Sequence, residues 1–243
     1  MRVQLFATCL VDSLFPAVGE AVVAVLRACE VQVAFPLAQT CCGQPSFNAG
    51  DWGSAQTMAR HTIETLEATQ DPVVIPSGSC AHMVRHGYLQ LFADDPAWLA
   101  RAERLALRTY EFSQFLVDVL DVHAWDGVPG VKVAYHPSCH LLRGMGIESQ
   151  PLQLLESIPS MQVTRLEPEC CGFGGVFSVD QPELSAEMLA RKLQAVQATQ
   201  APRVVGCDVS CLMHMEGGLR KQGSATRCAH LAQILAGDGG GLR

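Results

Sequence analysis

The chain has 243 residues, of which 49% are hydrophobic and 17% charged, and a formal net charge of −7. That length builds one large domain or two of a little over a hundred residues without covalent staples, and the few, scattered lysines and arginines exclude the basic stripe of a nucleic-acid binder. No window approaches eighteen consecutive apolar residues and no signal-peptide pattern precedes the first strand-like run, so a cytoplasmic protein with no transmembrane segment is expected.

In chain order, Val3–Phe6 reads as a strand, 17–28 as a helix, Val31–Phe35 as a strand, 54–68 as a helix, and Val73–Ile75 as a buried strand. An extra stretch near 88–105 lengthens the first half. Asp126-Gly127-Val128-Pro129-Gly130 has the composition of a linker. Beyond it come strand-like 131–135, 163–166 and 203–206, with a helical pattern over 184–198. Alternating strands and helices predict two pseudo-duplicated α/β units with mostly parallel sheets, over 1–125 and 131–236. The Gly-rich tail 237–243 is expected to be disordered.

Eleven cysteines are anomalous for a reducing compartment, where metal binding or thiol chemistry is the usual reason for such a count. Eight of them form a repeat. Cys9 and Cys139 lie 130 positions apart, Cys41 and Cys170 129, Cys42 and Cys171 129, and Cys80 and Cys211 131. All eight follow predicted strands, so each set converges on the carboxyl edge of its sheet, where open α/β sheets gather ligands. Four thiolates from three loops suit either an iron–sulfur cluster or a tetrahedral zinc. The adjacent pairs favour iron–sulfur, because structural zinc sites use Cys-x-x-Cys knuckles. Gly43 and Gly172 after the pairs allow positive φ and leave room for inorganic sulfur. The expected ligands are therefore Cys9, Cys41, Cys42 and Cys80, with Cys139, Cys170, Cys171 and Cys211.

Cys29 and Cys228 read as buried structural thiols, the latter opening the last helical stretch. His136 and His140 bracket Cys139 and are expected to support a cluster rather than ligate it. His82 and His214 stay undecided. Arg143 reads as a surface cation in preference to an anion anchor. Gly172-Phe173-Gly174-Gly175 lacks the Lys-Ser/Thr ending of a phosphate loop.

Phe6-Ala7-Thr8-Cys9, Thr40-Cys41-Cys42-Gly43-Gln44-Pro45, Pro76-Ser77-Gly78-Ser79-Cys80, Tyr135-His136-Pro137-Ser138-Cys139-His140, Cys170-Cys171-Gly172-Phe173-Gly174-Gly175 and Ser210-Cys211 together resemble the cysteine-rich CCG-domain proteins over nearly the whole chain. That superfamily includes a component of heterodisulfide reductase and the iron–sulfur subunit of glycolate oxidase, and these segments are most similar to its lactate-utilisation branch. The resemblance implies a non-flavin electron-transfer subunit of an oxidoreductase complex that converts L-lactate to pyruvate. It would carry one or two 4Fe-4S clusters and work beside a ferredoxin-like iron–sulfur protein and a third lactate-utilisation protein. A disulfide- or quinone-reducing subunit is the alternative, and a zinc-stapled structural protein a further one. The reductases add a fifth cysteine three residues before the last. Here that position holds Ser77 in the first half and Asp208 in the second, with Cys207 one residue upstream as a further candidate ligand. Four-cysteine sites are the simpler expectation.

Overall fold

Short β-branched runs pair into two four-stranded sheets in the computed structural model, which describes residues 1–126 and 130–237. The first sheet consists of β1 (Arg2–Leu5), β2 (Gln32–Ala34), β3 (Val73–Ile75) and β4 (Thr109–Glu111) in the order β2-β1-β3-β4. The second consists of β5 (Lys132–Tyr135), β6 (Gln162–Arg165), β7 (Arg203–Gly206) and β8 (Arg227–His230) in the order β6-β5-β7-β8. Every pairing is parallel, with Val3 opposite Val33 and Val133 opposite Val163. The two orders are identical, so the sequence repeat is a structural duplication. From β1 the chain passes to β2 on one side and then to β3 on the other. That reversal opens a crevice at the carboxyl ends of β1 and β3, the usual ligand position in open parallel sheets.

β4 and β8 were not expected, because three or four residues carrying Thr, Glu, Arg and His give no strand periodicity. Cys228 accordingly sits within β8 and not at the start of a helix; its N–H donates to Glu216 at 2.7 Å. The extra stretch of the first half forms helices Tyr88–Leu91 and Pro96–Ala106. The second of these begins on Asp95, whose side chain accepts from the Trp98 N–H. The expected linker residues 127–129 and the tail beyond 237 lie outside the described residues. Among the described residues no helix is long and apolar enough to cross a membrane.

One apolar core runs through both sheets and includes Val3, Leu5, Val74, Val133, Tyr135 and Val205. Each half is closed by the other. Helix Leu231–Leu235 of the second half packs on helix Pro16–Ala28 of the first, and the turn Phe112–Gln114 packs on helix Ser149–Ser157. Trp125 fastens the crossing, donating from Nε1 to the Leu235 carbonyl at 2.7 Å and from its N–H to Ser157 Oγ at 3.0 Å.

The halves also touch where helix Gly78–His82 meets the π-helical turn His140–Gly144. A Cβ on Gly78 would lie 2.6 Å from Leu141 Cβ and 3.0 Å from its Cα, and one on Gly144 would lie 2.5 Å from His82 Cδ2. Backbone contact at Gly78 leaves no flexible atom to yield. Gly78→Ala is therefore expected to cost about 1–3 kcal/mol, lowering the thermal midpoint by about 2–4 °C per kcal/mol in a chain of this size. An unchanged melting curve by circular dichroism would show that the two elements separate freely.

Candidate metal centre

Three strand ends in each half deliver four thiols. Cys9 opens helix Cys9–Leu14 after β1, Cys41 and Cys42 lie in the turn after β2, and Cys80 rides on helix Gly78–His82 after β3. The second half repeats this with Cys139 after β5, Cys170 and Cys171 after β6, and Cys211 on helix Val209–Lys221 after β7. Each set divides into two pairs. In the first, Cys9 Sγ lies 3.7 Å from Cys41 Sγ and Cys42 Sγ 3.4 Å from Cys80 Sγ. In the second, Cys139 pairs with Cys170 and Cys171 with Cys211. All eight line one cavity of about 260 Å³ between the halves, and all eleven cysteines are free thiols.

The middle cysteines are primed as anions. Hydrogen bonds from Cys42 and Cys9 pull the Cys41 thiol down to about 3, with a further bond from the Gly43 N–H at 3.5 Å. Cys170 is pulled down in the same way by Cys139 and Cys171, and the Gly172 N–H lies 3.4 Å from its sulfur. The donors are pushed up in return. A ready thiolate in each set is what a metal ligand requires. Gly43 and Gly172 adopt φ of +85° and +90°, as the turn demands. Their missing side chains face the following helices and not the cavity: a Cβ on Gly172 would meet the Ser185 carbonyl at 2.6 Å. Thr8, just before Cys9, holds φ 77° and ψ 150°, a strained conformation of the kind that collects at functional sites.

The two departures from the five-cysteine pattern meet each other. Ser77 Oγ donates to Asp208 Oδ1 at 2.7 Å, and Ser79 donates to the same oxygen from its N–H at 3.1 Å and its hydroxyl at 2.8 Å. Ser138 donates to Oδ2 at 2.5 Å. One buried carboxylate thus binds hydroxyls next to Cys80 and next to Cys139. Ser77 also caps the helix bearing Cys80, accepting from the Cys80 N–H at 3.2 Å.

Cys207, the further candidate ligand, does not line the cavity. Successive residues of an extended segment point to opposite sides, so Asp208 takes the cavity side and Cys207 turns into the core. There it lies wholly buried beside Tyr135, Ser113 and Glu111, and burial pushes its thiol up. Glu111 is itself fully buried, accepting from the Ser113 N–H at 2.7 Å and from the Ser113 hydroxyl.

Both histidines flanking Cys139 face the second set. His136 is 1% exposed; its ring and the sulfurs of Cys171 and Cys211 lie within 4.8 Å of one another, and neither ring nitrogen has a hydrogen-bond partner. His140 lines the cavity, with Nδ1 3.7 Å from Cys139 Sγ and Nε2 3.4 Å from Gln44 Nε2 of the first half. His82 lies behind it, the ring centroids 5.3 Å apart and the planes tilted by 54°, and is lowered to about 4 by burial and then by His140 and His86. His214 lies against Phe173, and the exposed Arg143 donates to the Pro168 carbonyl at 2.7 Å; neither lines the cavity. Asp208 and Ser138 are the site residues that sequence reasoning did not assign, since nothing in the spacing announces a contact between the halves.

A duplicated parallel α/β fold with a four-thiol set at each switch point defines a class of proteins, and comparison with known proteins agrees. The family of the cysteine-rich (CCG) domain matches twice, over residues 3–85 and 133–216. The chain is 40% identical over 238 residues to lactate utilization protein A 2 of Bacillus cereus (strain AH820), covering 97% of this chain and 98% of that protein. It is 44% identical over 237 residues to lactate utilization protein A of Exiguobacterium sp. (strain ATCC BAA-1283 / AT1b), covering 96% of each. The chain belongs to the cysteine-rich CCG-domain family, in the branch of lactate utilization protein A. Among solved structures, a hypothetical protein from Helicobacter pylori shares the fold at 10% identity and a TM-score of 0.65; the match covers 98% of this chain and 49% of that one.

Two outcomes follow from the buried carboxylates Asp208 and Glu111. Asp208→Ala strands four donors at the junction and is expected to cost about 2–4 kcal/mol, against about 1 kcal/mol for Ser77→Ala, both read from urea unfolding. Burial raises the Glu111 carboxyl from 4.5 to about 7 against its hydrogen bonds from Ser113 and the Gln114 N–H. The folded chain therefore keeps a proton that the unfolded chain has released. That stabilisation is complete below the unfolded value and is lost as pH rises through the folded one. Unfolding midpoints should fall between about pH 5 and pH 7 in the native sequence and lose this slope in Glu111→Gln.

Proposed function

We propose that the chain is an iron–sulfur electron-transfer subunit of L-lactate utilisation, with one 4Fe-4S cluster held by Cys9, Cys41, Cys42 and Cys80 and a second by Cys139, Cys170, Cys171 and Cys211. The observation that carries this reading is the pair of four-thiol sets opening on a single cavity. Soft thiolate donors in sets of four suit such clusters, which supply one-electron redox chemistry when bound. The chain's own part is electrostatic: the Gly43 and Gly172 N–H groups donate to the middle sulfurs, and apolar and hydroxyl walls keep the site partly shielded from water.

The cavity is poorly suited to lactate itself. Among the described residues lining it there is no lysine or arginine, and Asp208 adds a carboxylate. An α-hydroxy acid anion would meet repulsion and no cationic partner. We therefore assign lactate oxidation to a partner protein, with a ferredoxin-like iron–sulfur protein and a third lactate-utilisation protein completing a cytoplasmic complex. The names of the curated relatives support the lactate assignment.

A second reading draws on the shared cavity. An uncharged acceptor seated there would touch both thiol sets, as a disulfide- or quinone-reducing subunit requires. Disulfide or quinone reduction by the isolated, loaded chain would establish it.

Anaerobic reconstitution followed by iron and acid-labile sulfide analysis tests the main reading. Roughly eight iron and eight sulfide per chain are expected with both sets filled, with lactate-dependent reduction only when the partners are present. Zinc bound without sulfide would overturn it.

A further inference from the structure

The two sites differ in the residue that directly follows the first strand of each half. Phe6 and His136 are structural equivalents: each directly follows the first strand of its half, and each donates its N–H to the third strand, Phe6 to the Val74 carbonyl at 3.0 Å and His136 to the Val205 carbonyl at 2.8 Å. Phe6 is wholly buried in an apolar cluster that includes Cys42 and Ala81. His136 is as deeply buried but leaves both ring nitrogens without a partner beside the Cys171 and Cys211 sulfurs.

A neutral imidazole carries one N–H donor and one acceptor. An orphaned buried donor costs about 1–3 kcal/mol, whereas a bare acceptor is more readily tolerated. Direct metal ligation would occupy the acceptor and leave the N–H unmet, with no carboxylate or carbonyl to receive it as ligating histidines have. Donation from the N–H to sulfur satisfies the costlier group.

We propose that His136 donates its imidazole N–H to sulfur at the second site and makes that site the higher in reduction potential, the first site having Phe6 in its place. A donor to cluster or cysteine sulfur stabilises the reduced, more negative state. A single electron shared between the sites then rests on the second, which is reduced as the first is oxidised. Direction is thereby built into the chain. This rests on the iron–sulfur reading, whose own failure, zinc without sulfide in the native chain, is a separate result.

The test uses the full chain loaded anaerobically, with potentiometric titration followed by electron paramagnetic resonance. His136→Phe is expected to lower one of two midpoints by about 59 mV, a tenfold change for one electron, and to leave the other in place. His136→Gln, which keeps a donor, should recover much of the shift. With 15N-labelled histidine, a weak nitrogen coupling should survive in His140→Gln and vanish in His136→Phe. Unchanged midpoints in an iron-replete His136→Phe would overturn the proposal, as would a coupling of direct-ligand strength. Half the iron lost in His136→Phe but retained in His136→Gln supports it; iron lost equally in both overturns it, because the ring would then be needed as a ligand and not as a donor.

Discussion

The Asp208 carboxylate, shared by Ser77, Ser79 and Ser138, is the interaction on which the site depends. It lies between the segments that carry Cys80, Cys139 and Cys211, and it sets two otherwise separate strand-end crevices against each other. Charge-assisted hydrogen bonds of this kind are roughly twice as strong as neutral ones, and burial raises the cost of losing them. The duplicated fold supplies two sites; this junction makes them face one cavity.

Electrostatics explains why that cavity calls for a metal group. Eight thiols and a carboxylate converge with no lysine or arginine among the described lining residues. Hydrogen bonds from neighbouring thiols pull the Cys41 and Cys170 thiols down. A bound metal group would be held by Cys9, Cys41, Cys42 and Cys80, or by their equivalents in the second half, and would supply the missing positive charge. The same electronegative lining disfavours an anionic substrate.

Much of the architecture was legible in the sequence because it is periodic. β-branched runs identified six of the eight strands, and the offset between cysteines identified the duplication. β4 and β8 escaped because Thr109–Glu111 and Arg227–His230 are short and polar, held by neighbours and by the Glu216 contact to Cys228 rather than by their own pattern. Cys207 looked like a spare ligand since sequence distance carries no direction; the alternation of side chains after β7 sends it to the core. The glycines after the cysteine pairs were expected to make room for a cluster, but their open sides face the next helix, whose close approach accounts for them together with their positive φ.

By itself the sequence determined the two parallel α/β units, the grouping of cysteines into two sets of four and the loss of a fifth cysteine from each. These are local or repetitive features, encoded in spacing that needs no partner to be read. Only the tertiary structure decided that the two altered positions, Ser77 and Asp208, bond to each other, that both sets open on one cavity, and that His136 stands bare-ringed where the first half has Phe6. Those facts depend on which surfaces of the two halves meet, and that is set by interlocked packing, with each half closed by a helix or turn of the other, which no pattern along the chain displays.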